Sequence, residues 1–584
     1  MKLTLYKHSR SITARQDGFL QMAIILSRVG GATMKRKKRL SAAALTLASL
    51  LPFSSAVQGQ GFSVSRLKQD TQIISSDTFE GRAPLTSGED KTVAYIANAM
   101  KQIGLEPGAG AGYLQAVPIV QIQTLTDPAP QFSVTSPAGG ISFKYQEEVT
   151  LNAARGTEGV NLTGSQIVFV GHGINAPERH WNDYAGIDVR GKTVLVLIND
   201  PDWRNPTTEG QFAGKAMTYY GRYDYKFEEA ARQGAAAAIV IHSDAAAGYP
   251  FSVPASSLAA ATGALDDAEE GSNQLQVRSW IAHSAAKRLV ELAGHKLADL
   301  ELAAATPGFT ARALDVEARF AFKVRSKRGV SNNVIGLLPG SKRPDEYVIY
   351  TAHWDHLGRC PPDETGDDIC NGAIDNAVGV AGLLELARAF RQNGPPERSI
   401  LFLSTTGEEQ GFLGSKYYVR NPVRPLAKTV AQIDLDPLNF MFGATRDIGL
   451  IADQTELAAT VRLVAASQNR IVTPDPAPEQ GNRFRSDTLS FARGGVPVVL
   501  VSAGLDVIGK PSGSGQRSLD LYNERRYHQP SDSYDPNWDW SGALSDLHFF
   551  YGVGDQLART NDWPNWYPSD EFRAARDAVL ISGN

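Results

Sequence analysis

Cysteine is nearly absent. The 584-residue chain has two, Cys360 and Cys370. That excludes a scaffold built on several disulfides and a zinc module held by four thiolates. Long apolar runs are scarce too. The one that stands out, Leu40 to Phe53, is too short to span a bilayer. Beyond residue 56 no basic block occurs, so neither nucleic acid nor an anionic membrane surface is an expected partner.

What is present begins with the order of a secretory signal. Lys35-Arg-Lys-Lys-Arg39 precedes the Leu40–Phe53 stretch, and Ser54-Ser-Ala56 follows it as a small-x-small cleavage site. The expected start is Met34, with 1–33 an upstream extension. Residues 1–56 are then lost on export to the periplasm or the extracellular space, and no stable membrane insertion remains. An N-terminal anchor is the alternative. These residues hold ten Lys/Arg against one Asp, so their loss moves the formal charge from −4 to −13. In an exported protein, two cysteines ten apart predict a disulfide around Pro361–Ile369; a cysteine metal pair is the rival reading.

About 528 residues after cleavage are too many for one core. Residues 57–155 supply two amphipathic helices, Leu67–Ile74 and Thr92–Ile103, and a strand, Ala116–Ile122. Residues 156–308 differ, with short β runs at 166–170, 192–198 and 238–241 around a helix at 226–233. His172, His180 and His242 stand isolated there and suit packing or surface roles. From 309 to 584 buried strands alternate with helices: Tyr347–Thr351, Ala377–Phe390, Ser399–Ser404, Gly414–Val419, Val430–Leu435 and Val496–Val501. The pattern predicts an α/β fold whose central sheet is mostly parallel and covered by helices, with residues 156–308 as a β-rich insert.

Most acids and histidines that could carry chemistry sit at the ends of these strands, where ligand sites of parallel sheets lie. They are His353 and Asp355, Asp375, Glu408 and Glu409, Asp436, and Tyr527 and His528. Imidazole and carboxylate together suit zinc. In extended backbone His353 and Asp355 point the same way, so Asp355 can orient His353 from behind. Adjacent acids repel, and the repulsion is offset if Glu409 ligates while Glu408 serves as general base. Tyr527 is placed to donate to a developing oxyanion.

The segments Ala352-His-Trp-Asp-His-Leu-Gly358, Asn371-Gly-Ala-Ile-Asp-Asn376, Thr406-Gly-Glu-Glu-Gln-Gly-Phe-Leu-Gly-Ser415 and Tyr527-His-Gln-Pro-Ser-Asp532 resemble the M28 family of co-catalytic zinc peptidases. Residues 156–308 resemble its inserted protease-associated (PA) domain, Gly221-Arg-Tyr-Asp-Tyr-Lys-Phe-Glu-Glu-Ala-Ala being part of the match. The resemblance implies two zinc ions. His353, Asp375 and Asp436 would hold one, and Asp375, Glu409 and His528 the other. Glu408 would be base and acid, Tyr527 the oxyanion donor, and Asp375–Asn376 a cis peptide. Ser486-Asp487 matches a motif on the substrate side, with Thr488 in place of a frequent His. Asp434 stands where Asn is usual, and Pro437 where an aliphatic residue is common.

The expected activity is removal of N-terminal residues from peptides. The alternative is a carboxypeptidase of the glutamate-carboxypeptidase type, which needs arginines to grip carboxylates. Arg483, Arg485, Arg525 and Arg526 are the candidates. A non-catalytic binding module on this fold would not need Glu408. A single-zinc cyclotransferase would not need both His353 and His528.

Overall fold

A computed structural model describes residues 61–257, 261–266 and 275–582. The signal-like stretch 1–56 lies outside them. In chain order the elements that position the site are α1 (Val64–Ile74), α2 (Ser87–Ile103), β1 (Leu114–Thr124), β2 (Gln131–Ser136), β3 (Gly139–Phe143), β4 (Gly159–Phe169), β5 (Thr193–Leu197), β6 (Ala237–Ile241), β7 (Val277–Ile281), β8 (Arg312–Leu338), β9 (Arg343–His353), α3 (Val378–Gln392), β10 (Arg398–Thr405), β11 (Thr429–Asp434), β12 (Asp447–Leu450), β13 (Ile471–Pro474), β14 (Val498–Val499), β15 (Val501–Ala503) and α4 (Ser514–Arg525).

The first layer of sheet runs β14-β11-β9-β10-β8-β1. Its core pairs, β14–β11, β11–β9 and β9–β10, are parallel. Strands β10–β8 and β8–β1 pair antiparallel. Residues 347–353 and all of β10 and β11 are buried, as expected of strands covered on both faces. Alternation decides which core each side chain joins. Ile400 and Phe402 pack with Trp354, Ile96, Met100 and Leu383 on the side of α1, α2 and α3. Leu401 and Leu403 pack with Tyr418, Phe491 and Trp566 on the other. Each such aliphatic or aromatic side chain, fully buried, contributes about 1.5–3 kcal/mol.

Strand β8 is 27 residues long and joins two lobes. Its second half pairs with β1 and β10. Its first half pairs with β4 and β2. From β4 the second lobe continues in parallel through β5, β6 and β7. The β2–β3 hairpin also belongs to it, so this lobe draws on residues on both sides of 156–308. Two of its histidines are tied into the fold. His172 is buried with Nδ1 2.7 Å from the Asn199 carbonyl, and His242 Nε2 lies 2.9 Å from Asp244 Oδ1.

The stretch 496–501 is not one strand. Val498–Val499 extends the main sheet beside β11. At Leu500 the chain switches partners, its carbonyl accepting from Ile451 N at 3.0 Å. Residues 501–503 then join β12 in a separate three-stranded sheet with β13.

Candidate metal centre

Five ligand-type side chains converge beyond the carboxyl ends of the parallel strands. His353 is the last residue of β9, Asp375 precedes α3, Glu409 follows β10, Asp436 follows β11, and His528 follows α4 with φ 58°. His353 Nε2 lies 3.2 Å from Asp375 Oδ1 and 3.4 Å from Asp436 Oδ1. His528 Nε2 lies 3.3 Å from Asp375 Oδ2 and 3.1 Å from Glu409 Oε2. The two oxygens of Asp375 thus face two different imidazoles. The Asp375–Asn376 peptide is cis.

These spacings can be tested against a metal. Ligands about 2.0–2.1 Å from a tetrahedral zinc stand roughly 3.3 Å from one another. Both Nε2 atoms are buried without a hydrogen-bond partner, as suits nitrogens aimed at a cation. The groups His353/Asp375/Asp436 and His356/Asp375/Glu409 each bring ligand atoms within 4.8 Å of one another. Nitrogen and oxygen donors of this kind fit zinc.

Electrostatics point the same way. Burial alone would lower the His353 imidazole, but Asp436 and Asp375 outweigh it and hold it well above its ordinary value. His528 is pulled down by burial and up more strongly by Glu409 and Asp375, to about 10. Burial raises Glu408, with the charges of Asp436 and Glu409 adding to the rise. Burial pushes Asp355 up to about 7. Several carboxylates so close together need positive charge among them, as protons or as metal ions.

The surroundings fix these side chains. The Asp355 backbone carbonyl lies 3.1 Å from His353 Nδ1, and its carboxylate accepts the Glu408 N–H at 3.1 Å. Asp532 accepts the backbone N–H of Asp375 at 3.1 Å. Asn376 donates to the Leu435 carbonyl at 2.9 Å, tying the Asp375 and Asp436 segments together. Burial pushes Asp434 up to about 8, with Asp436 and Asp487 adding. Both causes favour its uncharged form, which can hydrogen-bond as an asparagine there would.

Sequence reasoning had assigned no role to His356, Asp532 or Arg82. His356 Nδ1 lies 2.6 Å from Glu409 Oε1, on the oxygen opposite His528. The His353-x-x-His356 spacing and the Asp532 that ends the last motif were the available signals.

An open cleft of about 580 Å³ leads to the site. Asp375, Glu408, Glu409, Asp436, Tyr527 and Ser486 line it. The Tyr527 ring stacks on His528 at 3.9 Å and is 39% exposed. Asp487, expected on the substrate side, is instead buried behind it. Thr405 and Ser415 donate to its carboxylate, so it ties the end of β10 to the helix at Leu413–Arg420. The arginines that the carboxypeptidase alternative would need also disperse. Arg483 is tied to Asp570 and Glu571, and Arg525 and Arg526 lie off the cleft. Arg485 alone among the described arginines lines it. Cys360 and Cys370 form a disulfide in the hairpin between His353 and Asp375.

The sequence model of peptidase family M28 matches residues 333–549, the span that holds all five ligand-type residues. Over this span the chain matches peptidase family M28. A probable zinc metalloprotease of Pyrenophora teres f. teres (strain 0-1) is 39% identical over 103 residues, 18% of this chain and 22% of that protein. Aminopeptidase NAALADL1 of Mus musculus is 31% identical over 142 residues, 23% of this chain and 17% of its own. Probable glutamate carboxypeptidase VP8 of Zea mays is 28% identical over 215 residues, 35% of this chain and 26% of its own. The chain thus spans about a quarter or less of each of these relatives. Among solved structures, an aminopeptidase from Aneurinibacillus sp. strain AM-1 is 18% identical with a TM-score of 0.47, covering 86% of this chain and 95% of that one. No helix among the described residues is long and apolar enough to cross a membrane.

Proposed function

We propose that the chain is an exported di-zinc aminopeptidase. The observation that carries this reading is the shared Asp375, with one oxygen toward His353 and the other toward His528. In this reading His353, Asp375 and Asp436 hold one ion, and Asp375, Glu409 and His528 the other. His356 holds the second oxygen of Glu409 and so fixes its orientation. When bound, two zinc ions supply Lewis acidity, polarising the scissile carbonyl and acidifying the attacking water.

The chain's own residues do the rest. Glu408 faces the cleft without being drawn into either cluster, so it takes the proton of the attacking water and returns it to the leaving amine. Tyr527, half open to the cleft, donates its hydroxyl to the oxyanion. The cleft is acidic on balance, with Asp475 and Asp520 on its outer wall against Arg485. That balance suits a free α-amine better than a terminal carboxylate, and a single arginine is a poor carboxypeptidase grip. The cleft shares Ile451, Asp475 and Asn482 with a second chamber of about 860 Å³, whose far wall, around Glu178, Arg179 and Gln211, comes from the second lobe. This lobe, read as a PA domain, would hold the distal part of a peptide.

The test is one pentapeptide with and without an N-acetyl group, incubated with zinc-loaded protein and followed by mass spectrometry. Release of the N-terminal residue from the free peptide alone is expected. Release of the C-terminal residue from the blocked peptide would favour the carboxypeptidase.

A further inference from the structure

Arg82 is fully buried, far from every ligand in sequence, and bonded only to backbone. Its Nε donates to the Trp354 carbonyl at 2.8 Å. One terminal nitrogen donates to Asn371 O at 2.5 Å and Ile74 O at 3.1 Å, and the other to Gly372 O at 2.8 Å. Trp354 follows His353, and Asn371 and Gly372 lead into Asp375. A single planar fork therefore spans the segments that carry two of the ligands. The backbone carbonyl of Arg82 in turn accepts the His356 N–H at 3.4 Å.

The turn that delivers Arg82 is itself enforced. Glu80, Gly81 and Arg82 have φ of 53°, 65° and 53°. Two of them are non-glycine residues in the left-handed region, a conformation that persists only where the surroundings over-determine it. A Cβ on Gly81 would meet the carbonyls of Gly358 and Cys370 at 2.5 Å. The turn is thus wedged beneath the disulfide hairpin. Burial pushes the guanidinium down to about 10, and nearby Asp532, Asp355, Asp375 and Glu409 oppose that and keep it charged at neutral pH.

We propose that Arg82 is a positioning residue of the metal centre. It sets the separation of the His353 and Asp375 segments and places a fixed positive charge behind the ligand carboxylates. The inference rests on the zinc reading above. Its chemistry demands arginine: lysine offers one nitrogen, and cannot donate in three directions from a rigid plane.

The test compares Arg82→Lys with Arg398→Lys in the full chain. Arg398 is equally buried and donates to Glu346 and to the Leu557 carbonyl, but at the opposite end of β10, about 23 Å of strand from Thr405. Each protein is stripped, and its zinc affinity is measured by chelator competition. The visible spectrum of the cobalt-substituted form reports ligand geometry. Arg82→Lys should weaken zinc at least tenfold and alter the cobalt spectrum, while Arg398→Lys stays within twofold with an unchanged spectrum. Wild-type affinity and spectrum in Arg82→Lys would overturn the assignment. Should that variant fail to fold, hydrogen exchange on the wild type decides. Residues 77–82 should gain protection together with 371–376 when zinc binds, and unchanged exchange at 77–82 would overturn the assignment. A wild-type protein that takes up no zinc would instead overturn the reading beneath it.

Discussion

The carboxylate of Asp355 accepts the backbone N–H of Glu408 at 3.1 Å. The same residue lies against His353, so one buried acid touches both a proposed ligand and the proposed base. Their roles should separate on mutation. Glu408→Gln keeps the ligand set and removes the proton acceptor, so zinc content should stay at the wild-type level while kcat falls about 10²–10⁴-fold. Asp355→Ala should lower both zinc affinity and kcat, because its bond to the Glu408 backbone and its packing on His353 go together. Metal analysis and steady-state kinetics on the two variants check this. Near-normal kcat in Glu408→Gln would remove it as the base.

Chelation should invert the pH dependence of stability. In the metal-free protein His528 is held at about 10, because Glu409 and Asp375 outweigh burial. A raised imidazole stabilises fully below its unfolded value of about 6.5, and that contribution is lost as pH rises toward about 10. Zinc needs the same nitrogen unprotonated. Chelated protein should therefore lose thermal stability from pH 7 to 10, while the extra stability conferred by zinc grows over that interval. Calorimetric Tm values for both forms decide. A chelated form that gains stability with pH contradicts the electrostatic picture.

The Cys360–Cys370 disulfide closes a loop with four acids and little apolar content between His353 and Asp375. In the chain-entropy model such a loop contributes about 3 kcal/mol. The double variant Cys360→Ser/Cys370→Ser should lose zinc affinity by a larger factor than its Tm shift alone explains. Unchanged affinity would make the hairpin irrelevant to the metals.

Much of this site was legible in the sequence because its chemistry is carried by side chains at strand ends. His353, Glu408–Glu409 and Asp436 each close a buried β run, and buried runs are easy to read. The supporting residues were not. Arg82 looks like any other of the 58 Lys/Arg, and only the folded chain shows that it donates to backbone alone. Asp487 follows Ser486 in the motif, yet neighbours on one turn can face opposite ways, and it turned inward. The partner switch at Leu500 was hidden because an apolar run has the same pattern in one sheet or two. Lobe membership of β2 and β3 was equally silent, since pairing with the first half of β8 is a long-range contact.

The central claim is a site built for two ions that share Asp375. Elemental analysis of purified wild-type protein, reloaded with zinc and dialysed against metal-free buffer, tests it directly. The account predicts two zinc ions per chain, and a stoichiometry of one or none would contradict it.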